Sequence, residues 1–232
     1  MPVYRLKYSK EGPARYISHL DLLRTFARAG RRAGLPLAFT QGFNPHPKIT
    51  FAAPLSVGIA GLGEFADIEL TGYLPDDDVR IALSSSLPEG LRILEARTVP
   101  MPVKSLMAAV ERAVYRASAV LGQVLSQEEL TGSVNAFLDL HEIWTERRGK
   151  KAAAKKYNIR EGIFSLKGTI EGDVILLEME IKTGSSGNVR CEEVLTEFIK
   201  AGGLTVTSGF DLSRTVLYQV SPCQREQREL WL

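Results

Sequence analysis

Two histidines and a lysine lie in a short span of the sequence that could support acid–base chemistry on a phosphate. His19 is at the start of a predicted helix, and His46 lies between two prolines in a loop that ends at Lys48. A histidine can act as a general base at neutral pH, and a lysine can stabilise a developing negative charge. We therefore predict His19, His46 and Lys48 as catalytic residues on the hypothesis that the chain cleaves RNA without a metal.

Four arginines recur on the helix predicted for residues 18–33. Arg28 follows Arg24 by four residues, and Arg31 or Arg32 follows Arg28 by three or four, which places them on one face, opposite the apolar stripe of the helix. A guanidinium group matches the geometry of a phosphate, and this helix has few acidic residues to pair with it. The predicted phosphate-binding residues are Arg24, Arg28, Arg31 and Arg32.

The loop that carries His46 combines a stiff backbone with polar and aromatic side chains. Gly42 permits a positive φ, and the two prolines restrict the residues around them. A loop that is ordered in advance loses less conformational entropy when it binds a ligand. Phe43 could stack on a base, and the amides of Gln41 and Asn44 could read polar base edges.

Basic residues are concentrated in two parts of the chain. Residues 1–60 contain nine basic and two acidic residues, a net charge of +7, although the whole chain has a net charge of only +2. Residues 147–160 contain seven basic residues and no acidic one. Tyr157 lies between basic residues, which is typical of a surface that binds nucleic acid. The alternatives for this segment are a solvated linker or a short helix at 152–154. Arg160 is the predicted nucleic-acid-binding residue of this segment.

The composition indicates a soluble cytoplasmic protein. The chain has two isolated cysteines, which suits a reducing compartment, and no apolar run long enough to span a membrane. It lacks paired or clustered cysteines and the glycine-rich motifs that cradle nucleotide phosphates. We therefore predict no metal and no cofactor in this chain.

The hydrophobic pattern predicts an α+β fold with two tandem ferredoxin-like (βαββαβ) units, at residues 1–100 and 101–232. The first half has predicted strands at 3–8, 35–40, 49–59, 65–71 and 91–99, and helices at 18–33 and 76–87. The second half has predicted strands at 113–121, 143–148, 162–170, 174–182 and 215–220, and helices at 126–140 and from 188 or 191 to 201. Strand 65–71 alternates Phe65, Asp67 and Glu69 with apolar residues, which predicts that it is half-buried.

Several of these stretches resemble the radical SAM-associated family of uncharacterised domains, DUF2344. They are RYISHLDLLRTFARAGRRAGLP, QGFNPHPKITFAAPLSVGI and KKYNIR. The residues that match the family motif are His19, Asp21, Gln41, Gly42, Asn44, Pro45 and His46. Members of this family occur alone or as an extension of a radical SAM protein, and are encoded near ribonuclease G and ribosomal proteins. The resemblance implies an RNA-directed role beside a radical SAM protein.

Three hypotheses follow. In the first, the chain is an RNA-binding accessory protein that presents tRNA or rRNA to a radical SAM partner. In the second, it is the metal-independent endonuclease described above. In the third, it is a protein-interaction module that docks the radical SAM partner through Phe43 and the apolar segment ITFAAPL.

Overall fold

The computed structural model describes residues 1–100, 105–147, 155–185, 187–220 and 227–231. Within them the chain has an α+β fold. The strands are β1 (Val3–Lys10), β2 (Ile49–Phe51), β3 (Ala60–Glu69), β4 (Leu91–Val99), β5 (Arg112–Val120), β6 (Trp144–Arg147), β7 (Lys155–Asn158), β8 (Ile163–Glu171), β9 (Val174–Lys182), β10 (Asp211–Val220) and β11 (Gln227–Glu229). The α helices are α1 (His19–Arg32), α2 (Asp76–Ser86), α3 (Leu106–Ala109), α4 (Gln127–Leu138) and α5 (Cys191–Ala201), and 3₁₀ helices span Gly12–Tyr16 and Arg160–Gly162.

The contacts between residues divide the chain into two compact units. The first unit contains Met1–Glu111 and Arg214–Leu232, and the second contains Arg112–Ser213. This division differs from the predicted boundary after residue 100, because the C-terminal segment returns to the first unit. Among the described helices, none has the length and apolar content that a membrane crossing requires.

In the first unit, antiparallel strands follow the order β4-β1-β3, and β3 also pairs with the short β2. The core lies between this sheet and the apolar faces of α1 and α2. Phe26 of α1 is fully buried and makes edge-to-face contacts with Tyr8 (5.1 Å) and Phe51 (5.2 Å). Burial of one such side chain contributes about 1.5–3 kcal/mol.

Helix α1 begins and ends where the sequence predicts. The Ser18 hydroxyl accepts a hydrogen bond from the backbone N–H of Asp21 (3.2 Å), which satisfies one of the free donors at the helix start. Gly34 follows the helix with φ 67°, a conformation that favours glycine.

Two strand predictions in the first unit are wrong. Residues 35–40 form only isolated bridges, of which Leu37 pairs with Leu70. Pro36 has no N–H to donate, and the N–H of Leu37 bonds to the carbonyl of Leu35, so the chain turns here instead of extending. The predicted strand at 49–59 ends at Phe51. Strand β3 is not half-buried either, since consecutive residues from 63 to 68 are buried on both of its faces.

In the second unit, antiparallel strands follow the order β5-β9-β8, and β6 and β7 form a separate two-stranded ribbon. The predicted capping box at the start of α4 is confirmed, with Ser126 and Glu129 bonded reciprocally. Helices α4 and α5 pack through Phe137 and Phe198, whose rings are 5.4 Å apart. Strand β7 lacks apolar alternation and was not predicted. The alternative helix at 152–154 lies outside the described residues.

Candidate nucleic-acid interface

The exposed face of α1 carries the predicted arginines. Arg24, Arg28 and Arg31 are all exposed, because the opposite face with Leu22 and Phe26 packs into the core. Arg24 forms an ion pair with Asp21 (3.0 Å), but both side chains are more than half exposed, so water screens this pair and it contributes little to stability. Within the described part of the chain, Arg28 and Arg31 have no acidic partner within ion-pair distance.

Asp21 has two structural roles at the start of this helix. Its carboxylate accepts a hydrogen bond from the Ser18 hydroxyl (2.7 Å) and also forms an ion pair with Arg24. These contacts, with the Ser18 bond the larger, hold the pKa of Asp21 below its ordinary value. The carboxylate is also favourable at the positive end of the helix. Asp21 therefore anchors the end of the arginine face.

Arg32 differs from the other three arginines. Its guanidinium donates to the backbone carbonyl of Ser86, at the end of α2. The last carbonyls of a helix have no partner within the helix, so a basic side chain stabilises them. Arg32 therefore links α1 to α2, and part of its donor capacity is already used.

Arg31 connects the helix to the predicted binding loop. Its guanidinium carbon lies 5.7 Å from the ring centre of Phe39, and Phe39 forms a bridge with Pro47 at the far end of the loop. Residue 30 of α1 is a glycine, which lets the helix lie close to the segment that leads into the loop. A Cβ at Gly30 would lie 3.1 Å from the Leu37 side chain.

Three hydrogen bonds close the loop of residues 41–45. The N–H of Thr40 donates to the carbonyl of His46 (2.9 Å), the N–H of His46 donates to the Thr40 hydroxyl (3.0 Å), and the N–H of Lys48 donates to the carbonyl of Ala38 (2.8 Å). Gly42 has the predicted positive φ, 124°. Hydrogen bonds thus fix the base of the loop.

The tip of this loop presents its side chains to solvent. Phe43 has a relative exposure of 106%, so its ring contacts essentially none of the protein. Gln41 and Asn44 are also exposed. Transfer of a fully exposed phenyl ring from water into contact with a ligand is favourable, which makes this tip a candidate binding element.

The three predicted catalytic residues have different environments. The ring of His19 is half-buried and packs edge-to-face on Phe51 (5.5 Å), while His46 is exposed in the loop. The Lys48 ammonium is paired with the carboxylate of Glu69 (2.9 Å). Within the described residues, no hydrogen bond or ring contact joins the two histidines. Their assignment as catalytic residues stays a prediction.

Arg160 holds the local structure of the second unit together. Its guanidinium donates to the backbone carbonyls of Leu138, Leu140 and Ile163. The carbonyl of Leu138 is at the last residue of α4, where it has no partner within the helix, and Leu140 lies two residues beyond the helix. These contacts occupy three of the five N–H groups of Arg160 and give it a structural role, while its predicted contact with nucleic acid stays a prediction.

The sequence pattern did not predict two buried ion pairs on β3. Arg214 donates to both carboxylate oxygens of Glu64 and to the carbonyls of Ala53 and Pro54. Arg5 donates to both oxygens of Asp67 (2.8 and 3.0 Å) and to the carbonyl of Leu230 (2.7 Å). Glu64 and Asp67 are three residues apart, so their side chains point to opposite faces of the strand.

The pair of Arg214 and Glu64 affects two neighbouring residues of β1. Burial raises the pKa of Tyr8 well above its ordinary value, and the charge of Glu64 raises it further. Burial also lowers the pKa of Lys10, whose ammonium donates to the carbonyl of Arg15 (3.2 Å). The sequence signal for this cluster is weak, because Glu64 and Asp67 lie within β3 but nothing near them in the sequence identifies their arginine partners.

No group of three or more His, Cys, Asp or Glu side chains is placed to hold a metal ion in the described ranges. The fold and the surface on α1 therefore define an α+β protein with an exposed basic and aromatic surface on its first unit.

The chain belongs to a family described as an uncharacterized protein conserved in bacteria (DUF2344), whose model matches residues 3–191. This match confirms the family resemblance. No curated protein matches the chain.

Three solved structures are similar. A chain in the crystal structure of a Cbf5-Nop10-Gar1 complex is 13% identical with a TM-score of 0.52, and the match covers 93% of this chain and 48% of that one. A chain in the archaeal box H/ACA sRNP Nop10-Cbf5 complex is 12% identical with a TM-score of 0.45, covering 92% and 46%. An unknown protein from Galdieria sulphuraria is 13% identical with a TM-score of 0.26, covering 93% and 99%. The chain thus spans about half the length of the first two chains, and the first match shows a similar fold only.

Proposed function

We propose that this protein binds RNA through its first unit, as an accessory protein that presents tRNA or rRNA to a radical SAM enzyme. One observation carries the RNA-binding part of the proposal. Arg28 and Arg31, which have no ion-pair partner among the described residues, lie on the same helix beside a hydrogen-bonded loop that exposes Phe43 completely.

The chemistry of this surface suits unpaired RNA. Guanidinium groups bind phosphates, and an exposed ring offers a stacking surface to any base. Gln41 and Asn44, on either side of Phe43 in the sequence, supply amide donors and acceptors for base edges. The closed loop base limits the entropy lost on binding.

The proposed fold is a pair of ferredoxin-like units. The antiparallel order β4-β1-β3-β2 in the first unit supports it, with α1 after β1 and α2 after β3. The order β5-β9-β8 in the second unit, with α4 after β5 and α5 after β9, follows the same plan. The likeness to the Cbf5-Nop10-Gar1 chain concerns the fold, so the RNA proposal rests on the surface and not on that likeness.

The radical SAM partner is proposed from the family resemblance alone. In this arrangement the partner holds the iron–sulfur cluster and performs the modification, while this chain holds the RNA. The cytoplasmic location, which rests on composition, also stays a prediction.

The surroundings of His19, His46 and Lys48 favour binding over cleavage. A lysine that stabilises a transition state must reach the phosphate, whereas Lys48 is paired with Glu69. The docking alternative also has less surface than the sequence indicates. Most of the segment ITFAAPL is buried, including Ile49, Phe51 and Ala52. Phe43 is therefore the main exposed apolar group that the docking hypothesis retains.

The test is binding of total tRNA and of rRNA fragments across a salt series. Arg28→Ala/Arg31→Ala should weaken binding by about tenfold or more at low salt and reduce the slope of log K against log salt by about one to two. The matched control is Arg80→Ala/Arg92→Ala, which removes the same charge from α2 and β4 of the first unit and should retain wild-type affinity. Absence of RNA binding by the wild-type protein at low salt would contradict the proposal.

The same samples separate the two alternatives. Cleaved RNA with a cyclic phosphate end, lost in His46→Ala, would favour the endonuclease. Salt-resistant co-purification with the radical SAM protein, together with no RNA affinity, would favour the docking module.

A further inference from the structure

The ribbon of β6 and β7 in the second unit has no role in the function proposed above. It forms a two-stranded sheet of its own, in which Trp144 pairs with Asn158 and Arg147 pairs with Lys155. All four residues of β7 are exposed. A two-stranded ribbon by itself is at most marginally stable in water, so its persistence here requires an anchor.

The base of the ribbon provides that anchor. Ile143 and Ile159, just outside the two strands, are buried, and the N–H of Ile159 donates to the carbonyl of Ile143 (2.8 Å). The Asn158 side-chain oxygen accepts from the N–H groups of Ile143 and Arg160, both at 3.1 Å. Arg160 then connects this base to the end of α4. The base of the ribbon is therefore anchored in the second unit, while the residues of its outer face are exposed to water.

One face of the ribbon is also fixed. Arg147 donates to both carboxylate oxygens of Glu193 on α5, each at 2.6 Å, and to the carbonyl of Asn188. Arg147 and Lys155 both lie near the ring of Tyr157, at 5.0 and 5.5 Å. Thr145, on the same face, is buried.

The outer face exposes an aromatic ring beside a lysine. Trp144 is 51% exposed, and its indole N–H donates to the carboxylate of Glu142 (2.9 Å), which restricts the orientation of the ring. Lys156 lies on the same face, diagonally across the strands from Trp144, and most of its side chain is exposed. The contact of Lys156 with Glu146 is long, 4.0 Å, and exposed.

The charge of this region fits a polyanion. Residues 144–158 contain six basic residues and one acidic residue. Three of these bases, Arg147, Lys155 and Lys156, are in the two strands. An exposed aromatic ring beside lysines suits unpaired nucleic acid, because a base can stack on the ring while the phosphates meet the ammonium groups.

We propose that the ribbon is a second RNA-binding element, in which Trp144 stacks on an unpaired base and the exposed Lys155 and Lys156 contact phosphates. The proposal rests on the RNA-binding function proposed above and assigns part of it to the second unit.

Trp144 makes the proposal directly measurable. The chain has two tryptophans, so Trp231→Phe leaves Trp144 as the only one, and the conservative change retains a ring against Phe65. Total tRNA should quench the fluorescence of this variant in a saturable manner. Lys155→Ala/Lys156→Ala, in the same background, should weaken binding by about three- to tenfold and lower the salt slope by about one. Lys167→Ala/Lys200→Ala is the matched control, because it removes the same charge from other exposed positions of the second unit.

The outcomes distinguish the two proposals. If fluorescently labelled tRNA binds but Trp144 fluorescence stays constant and the lysine variant binds normally, the ribbon proposal is overturned and the function proposed for the first unit stands. Equal quenching by polyglutamate, which has no bases, would overturn the stacking role. If no RNA binds to the wild-type protein, both proposals fail.

Discussion

Arg5 and Arg214 are among the most deeply buried side chains of the first unit, whereas Arg28 and Arg31 on α1 are exposed to water. Both buried arginines meet a carboxylate with two hydrogen bonds and also donate to backbone carbonyls. The exposed arginines have no such carboxylate partner among the described residues. Burial of a charge carries a large desolvation cost that only full pairing offsets, so a buried arginine has no capacity left for a ligand. An exposed arginine without an acidic neighbour keeps that capacity.

The largest expected effect is on the buried pair. Arg214→Met should lower the free energy of unfolding by about 3–5 kcal/mol, because it leaves the Glu64 carboxylate buried without its main partner. Arg214→Met/Glu64→Leu removes both charges and should recover most of this loss. Urea denaturation measures both variants. A cost below about 1 kcal/mol for the single variant would show that the pair is not as buried as the structure indicates.

The second effect is on the exposed surface. Phe43→Ala should reduce tRNA affinity by about five- to a hundredfold, since one stacked base contributes about 1–3 kcal/mol. Because Phe43 contacts almost none of the protein, the free energy of unfolding should change by less than about 0.5 kcal/mol. Affinity measurement and urea denaturation of the same preparation test the pair of expectations. A stability loss without an affinity loss would reverse the comparison between the two regions.

A smaller effect is expected at Arg24, which lies between the two extremes because it has an exposed partner. Arg24→Ala should lower the stability only slightly, and this loss should become smaller still at high salt. Its effect on tRNA affinity should be weaker than that of Arg28→Ala, since Asp21 already competes for the guanidinium. If Arg24→Ala weakens binding more than Arg28→Ala, the ion pair with Asp21 does not limit phosphate binding.

At neutral pH the smallest effect is expected at Tyr8, and it grows in alkali. Burial, and then the charge of Glu64, raises the pKa of Tyr8 above its ordinary value of 10.0. The unfolded chain therefore releases this proton at a lower pH, and the stability contribution falls as pH rises above about 10 toward the folded pKa. Tyr8→Phe should remove this alkaline fall, as measured by urea denaturation from about pH 8 to about pH 11. Lys10, whose lowered pKa acts in the opposite direction, is present in both proteins, so the difference reports Tyr8. Equal alkaline profiles would contradict the raised pKa.

The sequence predicts the features that depend on near neighbours. The caps at Ser18 and Ser126 depend on residues three positions away, so both could be identified from spacing alone. The strands at 91–99 and 174–182 match the structure because their alternating faces are clear. The exposure of the arginine face and the loop tip could also be inferred, since these residues lie opposite the apolar stripe or in a short closed loop.

The features that depend on distant parts of the chain could not be predicted. Asp67 alternates with apolar residues, a pattern that indicates a face exposed to solvent. In the structure Asp67 is buried beside its cross-strand partner Arg5, which is buried as well. Arg5 and Lys10 counted toward the basic charge of the first sixty residues, although both are buried and do not contribute to a surface. Arg160 lies in a basic segment typical of a nucleic-acid contact. Its structural role follows from its position next to the end of α4, which the sequence does not reveal.

The buried pair of Glu64 and Arg214 has a consequence for how the protein is made. The two residues are 150 positions apart, and the whole second unit lies between them in the sequence. During synthesis, the ribosome must therefore complete residues 112–213 before the partner of Glu64 exists. Domains generally fold in order from the N-terminus, but here the first unit to emerge is the last to be finished. Until Arg214 arrives, the carboxylate of Glu64 must remain hydrated or protonated, which would keep part of the first core open on the nascent chain.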